Sequence, residues 1–317
     1  MVPTWIWVIA IVVVVLGAFW GVRNQINGML GVGGGVGGIG TRPVVWWYVD
    51  DGQGNSRERL DWGARSTQEP NEPYLKICLA RARDRWGTEF QVESVIGRPA
   101  ALARLEAAGV KVPEGVINTP PYLWMNWCRA TFLTTFGGRW LDGSVLPVGS
   151  GTELKGRLAN TDALTFGTDP EEGLGAPTGS VAAASLTAGW AAVPGHPVWT
   201  ALAGDLTALV AEGAQSWGAP EARRSLRTLW DRHFSGVVRV DREAEVSRDR
   251  YGVRLELDTL LGQTDWPTGS KERGLWVPFP EGRDGLERAS PWLWFTRMSV
   301  EQIRESGFLW AQWANQA

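Results

Sequence analysis

Cysteine and histidine are nearly absent from this chain. Its 317 residues include only Cys78, Cys128, His196 and His233 of these types. No Cys-x-x-Cys occurs, so zinc and iron–sulfur centres have no ligand set. Both cysteines fall on the apolar sides of expected helices, which predicts buried free thiols rather than a disulfide. Lysine is scarce as well. Only Lys76, Lys111, Lys155 and Lys271 stand among 31 basic residues. With 34 acids the net charge is −3, so there is no basic footprint and nucleic acid is not an expected partner. What the chain does have is tryptophan, 20 residues of it. Indole is a core side chain, and it also stacks on flat or weakly polar ligand faces, including sugars.

Residues 5–22, WIWVIAIVVVVLGAFWGV, are apolar without a break. That length suits a bilayer's hydrocarbon core, and Trp5, Trp7 and Trp20 lie near its ends as interfacial aromatics do. The rival reading is a cleaved signal peptide, but no charged region precedes the run and no small-x-small site follows. The expectation is therefore one N-terminal transmembrane helix, residues 1–22, acting as a single-pass anchor. Arg23 follows it, which by the positive-inside rule puts the globular part in the cytoplasm. Residues 23–42 contain GMLGVGGGVGGIG and read as a flexible Gly-rich linker. A phosphate-binding glycine loop would need a strand before it, and an apolar membrane segment stands there instead.

The remaining 43–317 form the globular domain, with 237–317 a C-terminal extension of it. About 275 residues suffice for one large or two small domains. Val44–Val49 (VVWWYV) reads as a buried first strand, and Asp50-Asp51-Gly52 as a turn more than a catalytic pair. Asn71 can cap a helix over 73–86, with Leu75, Cys78, Ala82 and Trp86 inward. Phe90–Ile96 reads as a strand and Pro99–Ala108 as a helix stopped by Gly109. The chain is read as loop-rich from Gly149 to about 180, with Ala163–Phe166 a short strand. Val198–Glu212 and Pro220–Phe234 read as helices, Val237–Val240 and Val253–Leu257 as strands. Ser299 and Gln302 make a capping box for a last helix over 300–315. Alternating strands and helices argue for an α/β fold with a mainly parallel sheet flanked by helices.

Within this alternation, Tyr122–Leu146 forms a helix, a glycine hinge and a strand that delivers one acid to a turn. Thr119 can cap the helix and Pro120 suits its first position. Gly137-Gly138 ends the helix, Arg139-Trp140-Leu141 makes the strand, and Asp142-Gly143-Ser144 turns away. In α/β proteins ligands bind at the carboxyl ends of strands, which makes Asp142 the leading candidate.

Residues 43–200 resemble the capsular polysaccharide synthesis type of glycosyltransferase, related to the wider group of DXD-containing sugar transferases. The resemblance is carried by the tryptophan-rich strand Val44–Val49, by Pro73-Tyr74-Leu75-Lys76-Ile77-Cys78, and by Asn126-Trp127-Cys128-Arg129. It continues in Phe136-Gly137-Gly138-Arg139-Trp140-Leu141-Asp142 and in Ala191–Pro197. It implies a GT-A-like, Rossmann-related fold, a nucleotide-sugar donor, a glycan or glycolipid acceptor and a divalent metal, Mn²⁺ or Mg²⁺. It implies Asp142 and Ser144 as metal ligands. Donor-binding roles fall to Trp47, Tyr48, Asn126, Arg129, Gly138 and Asp142, with Trp47 and Tyr48 flanking the nucleobase. The function implied is sugar transfer in polysaccharide or glycoconjugate synthesis at a membrane.

Two positions depart from that pattern. Asn126 stands where the family has an acid before the arginine, and Ser144 where a full DXD has its second acid. They keep open an alternative: a non-catalytic protein of the same fold that binds glycan or serves as a membrane-tethered structural component. No catalytic base is identified; Asp162, Asp169, Glu171 and Asp265 are candidates by loop position only. Bland readings also stand beside the sharp ones. Asp142 can be a simple turn-former, Arg129 a structural ion pair, Asn126 an internal hydrogen-bonder, and His196 a loop residue rather than a metal ligand. The helically spaced tryptophans are first of all core, and only Trp46, Trp47 and Trp140 border the expected cleft.

Overall fold

A computed structural model of the chain describes residues 42–49, 72–159, 161–166, 189–213, 219–234, 238–241, 255–262, 274–279 and 292–316. Its strands are β1 (Val44–Val49), β2 (Gln91–Ile96), β3 (Gly138–Asp142), β4 (Leu146–Pro147), β5 (Ala163–Phe166), β6 (Gly189–Ala192), β7 (Arg239–Asp241) and β8 (Trp276–Val277). Six of them form one sheet in the order β2-β1-β3-β6-β5-β7, and β4 pairs with β8 apart from it. β1 lies parallel to both β2 and β3, and β5 parallel to β7; β6 alone runs against its neighbours. The chain is thus a mixed α/β protein with a central, mostly parallel sheet flanked by helices.

The helices are α1 (Pro73–Trp86), α2 (Gly97–Ala107), α3 (Glu114–Ile117), α4 (Pro121–Phe136), α5 (Gly151–Leu158), α6 (Pro197–Ala211), α7 (Ala219–Phe234), α8 (Leu257–Leu260), α9 (Val300–Glu305) and α10 (Leu309–Asn315). β1 is central, so its side chains are buried on both faces, which is why VVWWYV shows no polar alternation. Trp46 and Tyr48 join α2, α4 and α6 in one core, while Trp47 and Val49 join α1, α9 and α10 in another. Helices therefore cover both faces, as a chain does when its strand order reverses at β1. Each large apolar side chain buried in this way contributes about 1.5–3 kcal/mol.

Two glycines make the hinge between α4 and β3. Gly137 and Gly138 have φ of 64° and 86°, a region closed to most side chains. A Cβ on Gly137 would meet Pro194 at 2.5 Å, and one on Gly138 the Val44 carbonyl at 2.6 Å. Trp46 Nε1 donates to the Gly137 carbonyl at 2.9 Å, tying the hinge to β1.

The C-terminal segment packs into the core of α1. Phe279 stacks on Trp310 at 5.5 Å, and both Phe279 and Phe295 contact Tyr74 at 5.6 Å. Ser299 and Gln302 form the expected capping box. The expected helix 300–315 is nevertheless two helices. Gly307 turns at φ 73° between them, and Leu309 N–H bonds the Gly262 carbonyl instead of continuing α9. The expected strand Val253–Leu257 is also corrected: residues 253 and 254 lie outside the described set, and Leu257 opens α8. Thr119 does not cap α4. Pro120 is the N-cap residue, and the Thr119 hydroxyl donates to the Val116 carbonyl at 2.7 Å, closing α3. The stretch after Gly149 is not all loop, because Ser150 caps α5 by accepting from Glu153 N–H at 3.1 Å.

Among the described residues no helix is long and apolar enough to cross a membrane. The apolar run 5–22, the Gly-rich linker, Asp50, Asp51, Asn71, Asp169, Glu171 and Asp265 lie outside them.

Candidate functional site

Strand order 2-1-3 creates a switch point between β1 and β3. Their crossover connections leave to opposite sides of the sheet, so a crevice opens at their carboxyl ends. Asp142 is the last residue of β3 and pairs with Tyr48 near the end of β1. The carboxylate expected from sequence thus stands at the position where an open α/β sheet receives a ligand.

The turn that holds it is close-packed. Gly143 N–H donates to the Tyr48 carbonyl at 2.6 Å. A Cβ at Gly143 would meet Val49 Cγ2 at 2.4 Å, the Tyr48 carbonyl at 2.8 Å and Trp47 Cζ2 at 3.0 Å. Only glycine lets the chain cross β1 this closely. Ser144 is buried and faces back on the acid: its N–H and its hydroxyl both donate to Asp142 Oδ1, at 2.7 and 2.6 Å. The hydroxyl expected as a metal ligand is therefore an orienting group for Asp142.

Alternation along β3 puts Asp142 on the same side of the sheet as Trp140, the side covered by α4. Arg129, on α4, is fully buried there. Its guanidinium carbon lies 3.7 Å from the centre of the Trp190 ring on β6, and its Nη2 donates to Asn126 Oδ1 at 2.5 Å. Burial pushes the Arg129 pKa down to about 9, while the charge of Asp142 pulls the other way. Arg129 stays charged at neutral pH, and its charge is felt at Asp142 from beneath the surface. On the other side, burial and then the Asp142 charge raise the Cys78 thiol well above its ordinary range.

Several expected site residues are elsewhere. Trp47 and Tyr48 are each 2% exposed. Tyr48 stacks on Trp140 at 4.7 Å, and its hydroxyl accepts from Trp124 Nε1 at 2.9 Å. These rings are core, with no face left for a nucleobase, and the same holds for the buried Trp46 and Trp140. Gly138 begins β3, about 13 Å of extended strand from Asp142 and at the opposite edge. Asn126 is buried against Arg129 and takes the internal hydrogen-bonding role. Asp162 precedes β5, which places it at the amino edge of the sheet, away from Asp142. His196 is the N-cap of α6, its Nδ1 accepting from Val198 N–H at 3.3 Å. Cys78 and Cys128 are buried free thiols, as expected.

Glu72 was not among the expected residues. It is the N-cap residue of α1, 1% exposed, with the Tyr74 hydroxyl donating to its Oε2 at 3.3 Å. α1 runs back from the carboxyl edge, so Glu72 lies at the same edge as Asp142. An acid immediately before the helix-opening Pro73 was the available signal.

For a divalent metal the donors are few. Among the described residues no three His, Cys, Asp or Glu side chains gather as ligands. Asp142 supplies one carboxylate. That fits Mg²⁺ or Mn²⁺ shared with a bound diphosphate, since such ions are commonly held by one or two carboxylates plus substrate phosphates. Among the described residues it does not make a site for an ion held by the protein alone.

Compared with family models, with curated proteins and with solved structures, the chain matches none.

Proposed function

We propose that the chain is a nucleotide-sugar-dependent glycosyltransferase of GT-A-like, Rossmann-related fold, moving a sugar to a glycan or glycolipid acceptor. The observation that carries this reading is Asp142 at the β1/β3 switch point, with the Arg129 charge beneath it. A nucleotide sugar leaves as a diphosphate, whose growing negative charge must be met where the bond breaks. A divalent ion bound with the donor would neutralise that charge. Asp142 would orient the donor group through that ion. Arg129 is buried, so its part is to set the field at Asp142 rather than touch phosphate. The resemblance of residues 43–200 supports the same assignment, and the apolar run 5–22 supports anchorage at a membrane where polysaccharide or glycoconjugate is built.

A second reading, a non-catalytic protein of this fold that binds glycan, is favoured by one observation: Ser144 and Asn126 stand at the two positions where further acids are implied. Titrating the full chain with UDP, GDP and their sugars, with and without Mn²⁺, separates the two. Binding of one donor, with hydrolysis or transfer abolished in a folded Asp142→Asn variant, is expected. No binding to any of them sinks the transferase.

A further inference from the structure

Trp294 stands apart from the other described tryptophans. It is 43% exposed, and except for the half-buried Trp292 every other described tryptophan is buried. An indole left in water forgoes the stabilisation that burial would bring. Trp294 is also part of a group. Its ring centre lies 5.8 Å from that of Trp292 at an interplanar angle of 49°, and 5.6 Å from Phe308 at 59°. Rings inclined at such angles flank one another without covering each other's faces. The Trp292 ring is held in place, because its Nε1–H donates to Asp258 Oδ1 at 2.8 Å.

The group lies toward the ligand edge of the sheet. Phe295, the next residue, packs on Tyr74 in the first turn of α1. Tyr74 shares a core cluster with Trp47 and Val49, the residues on which Gly143 and hence the Asp142 turn rest.

We infer that Trp294, Trp292 and Asp258 form a carbohydrate platform that receives the acceptor glycan. A pyranose offers an apolar C–H face that packs on an indole, ringed by hydroxyls that need acceptors. The exposed Asp258 carboxylate supplies acceptor oxygens at the rim of the aromatic surface. Charge argues against a lipid occupant. Among the described residues of 255–262 and 292–316, exposed Glu256, Asp258, Glu301 and Glu305 outnumber exposed Arg297 and Arg304, whereas anionic membranes recruit clustered bases. Calling the glycan an acceptor rests on the transferase reading; the binding surface does not.

The test uses the full chain in a sugar-free detergent, as wild type, Trp294→Ala and Trp294→Phe. Binding to linear hexasaccharides of glucose, mannose, galactose and N-acetylglucosamine is measured by calorimetry without nucleotide. One of these is expected to bind, at least about tenfold more weakly to Trp294→Ala, with Trp294→Phe close to wild type. Trp294→Phe, which keeps a ring against Trp292 and Phe308, is expected to melt with wild type. No binding by wild type, equal binding by Trp294→Ala, or Trp294-dependent capture by phosphatidylglycerol vesicles in place of glycan overturns the platform. Donor hydrolysis without acceptor is followed separately. If it persists while glycan binding ignores Trp294, the platform fails and the transferase stands. If glycan binding needs Trp294 and no donor is turned over, the platform stands and the transferase fails.

Discussion

Ser144 donates twice to a single oxygen of Asp142, from its backbone N–H at 2.7 Å and its hydroxyl at 2.6 Å. One face of the carboxylate is thereby fixed toward the protein. Ser144→Ala removes the hydroxyl donor and keeps the amide. A loss of about 1 kcal/mol in urea unfolding is expected, with donor turnover reduced less than in Asp142→Asn. Turnover abolished equally by both variants would make Ser144 a ligand rather than an orienting group.

Gly143→Ala tests how tightly the same turn is packed. The added methyl would press on Val49, the Tyr48 carbonyl and Trp47. All three belong to the central strand β1, which cannot retreat without disturbing both cores. A cost of about 1–3 kcal/mol is expected, together with weaker donor binding as Asp142 is displaced. Unaltered urea midpoint and donor affinity would refute the close crossing.

Arg129 is a buried cation bonded to Asn126 and spread over the face of Trp190. A lysine cannot reproduce a planar, stacked, hydrogen-bonded guanidinium. Arg129→Lys should therefore destabilise measurably, and Arg129→Ala more, since it removes both the bond to Asn126 and the packing on Trp190. Chemical denaturation of the three proteins gives the ranking; a neutral Arg129→Ala would show that the charge is not coupled to the fold.

On the proposed transferase reading, metal binding should depend on nucleotide. With no three carboxylate, thiol or imidazole ligands gathered among the described residues, Mn²⁺ added alone is expected to bind no more tightly than about millimolar, and UDP or GDP should raise its affinity by bringing phosphate oxygens. Mn²⁺ electron paramagnetic resonance with and without diphosphate measures this directly. Tight Mn²⁺ binding without nucleotide would point to ligands beyond Asp142.

His196 gives the fold a pH response near neutrality. Burial lowers its pKa from the ordinary 6.5, partly offset by the charge of Asp162. Between 6.5 and the lowered native value the unfolded chain binds the extra proton, so stability rises with pH across that window. The contribution is fully present above 6.5 and is lost as pH falls through the native value. Protonation of Nδ1 would also remove the acceptor of the α6 N-cap bond from Val198 N–H. His196→Ser keeps a cap without titrating, so its stability profile should be flatter from pH 6.5 downward. Parallel profiles for the two proteins would exclude the cap as the titrating device.

Much of the local structure was legible along the chain. Pro73 followed by inward positions at helical spacing specified α1, the unbroken VVWWYV specified a strand buried on both faces, and Ser299 with Gln302 specified a helix start. These signals are local, so they survive in one dimension. The same reasoning passed over Ser150 with Glu153, a cap of the same kind, because the helix it starts is short and set among loop residues. It merged α9 with α10 because periodicity runs through Gly307, where the break depends on a hydrogen bond to Gly262 far away in sequence. β4 and β8, two residues each, carry no periodic signal and exist only because they pair.

By itself the sequence determined the alternation of strands and helices, the glycine hinge, and the presence of one acid at the end of the third strand. Spacing and backbone propensity act between near neighbours, and those features need nothing more. Tertiary structure alone decided which side chains face water. It buried Arg129, turned Ser144 onto Asp142, brought Glu72 to the same edge, and left Trp294 exposed. A residue's neighbours across the sheet come from remote parts of the chain, and exposure is set by them.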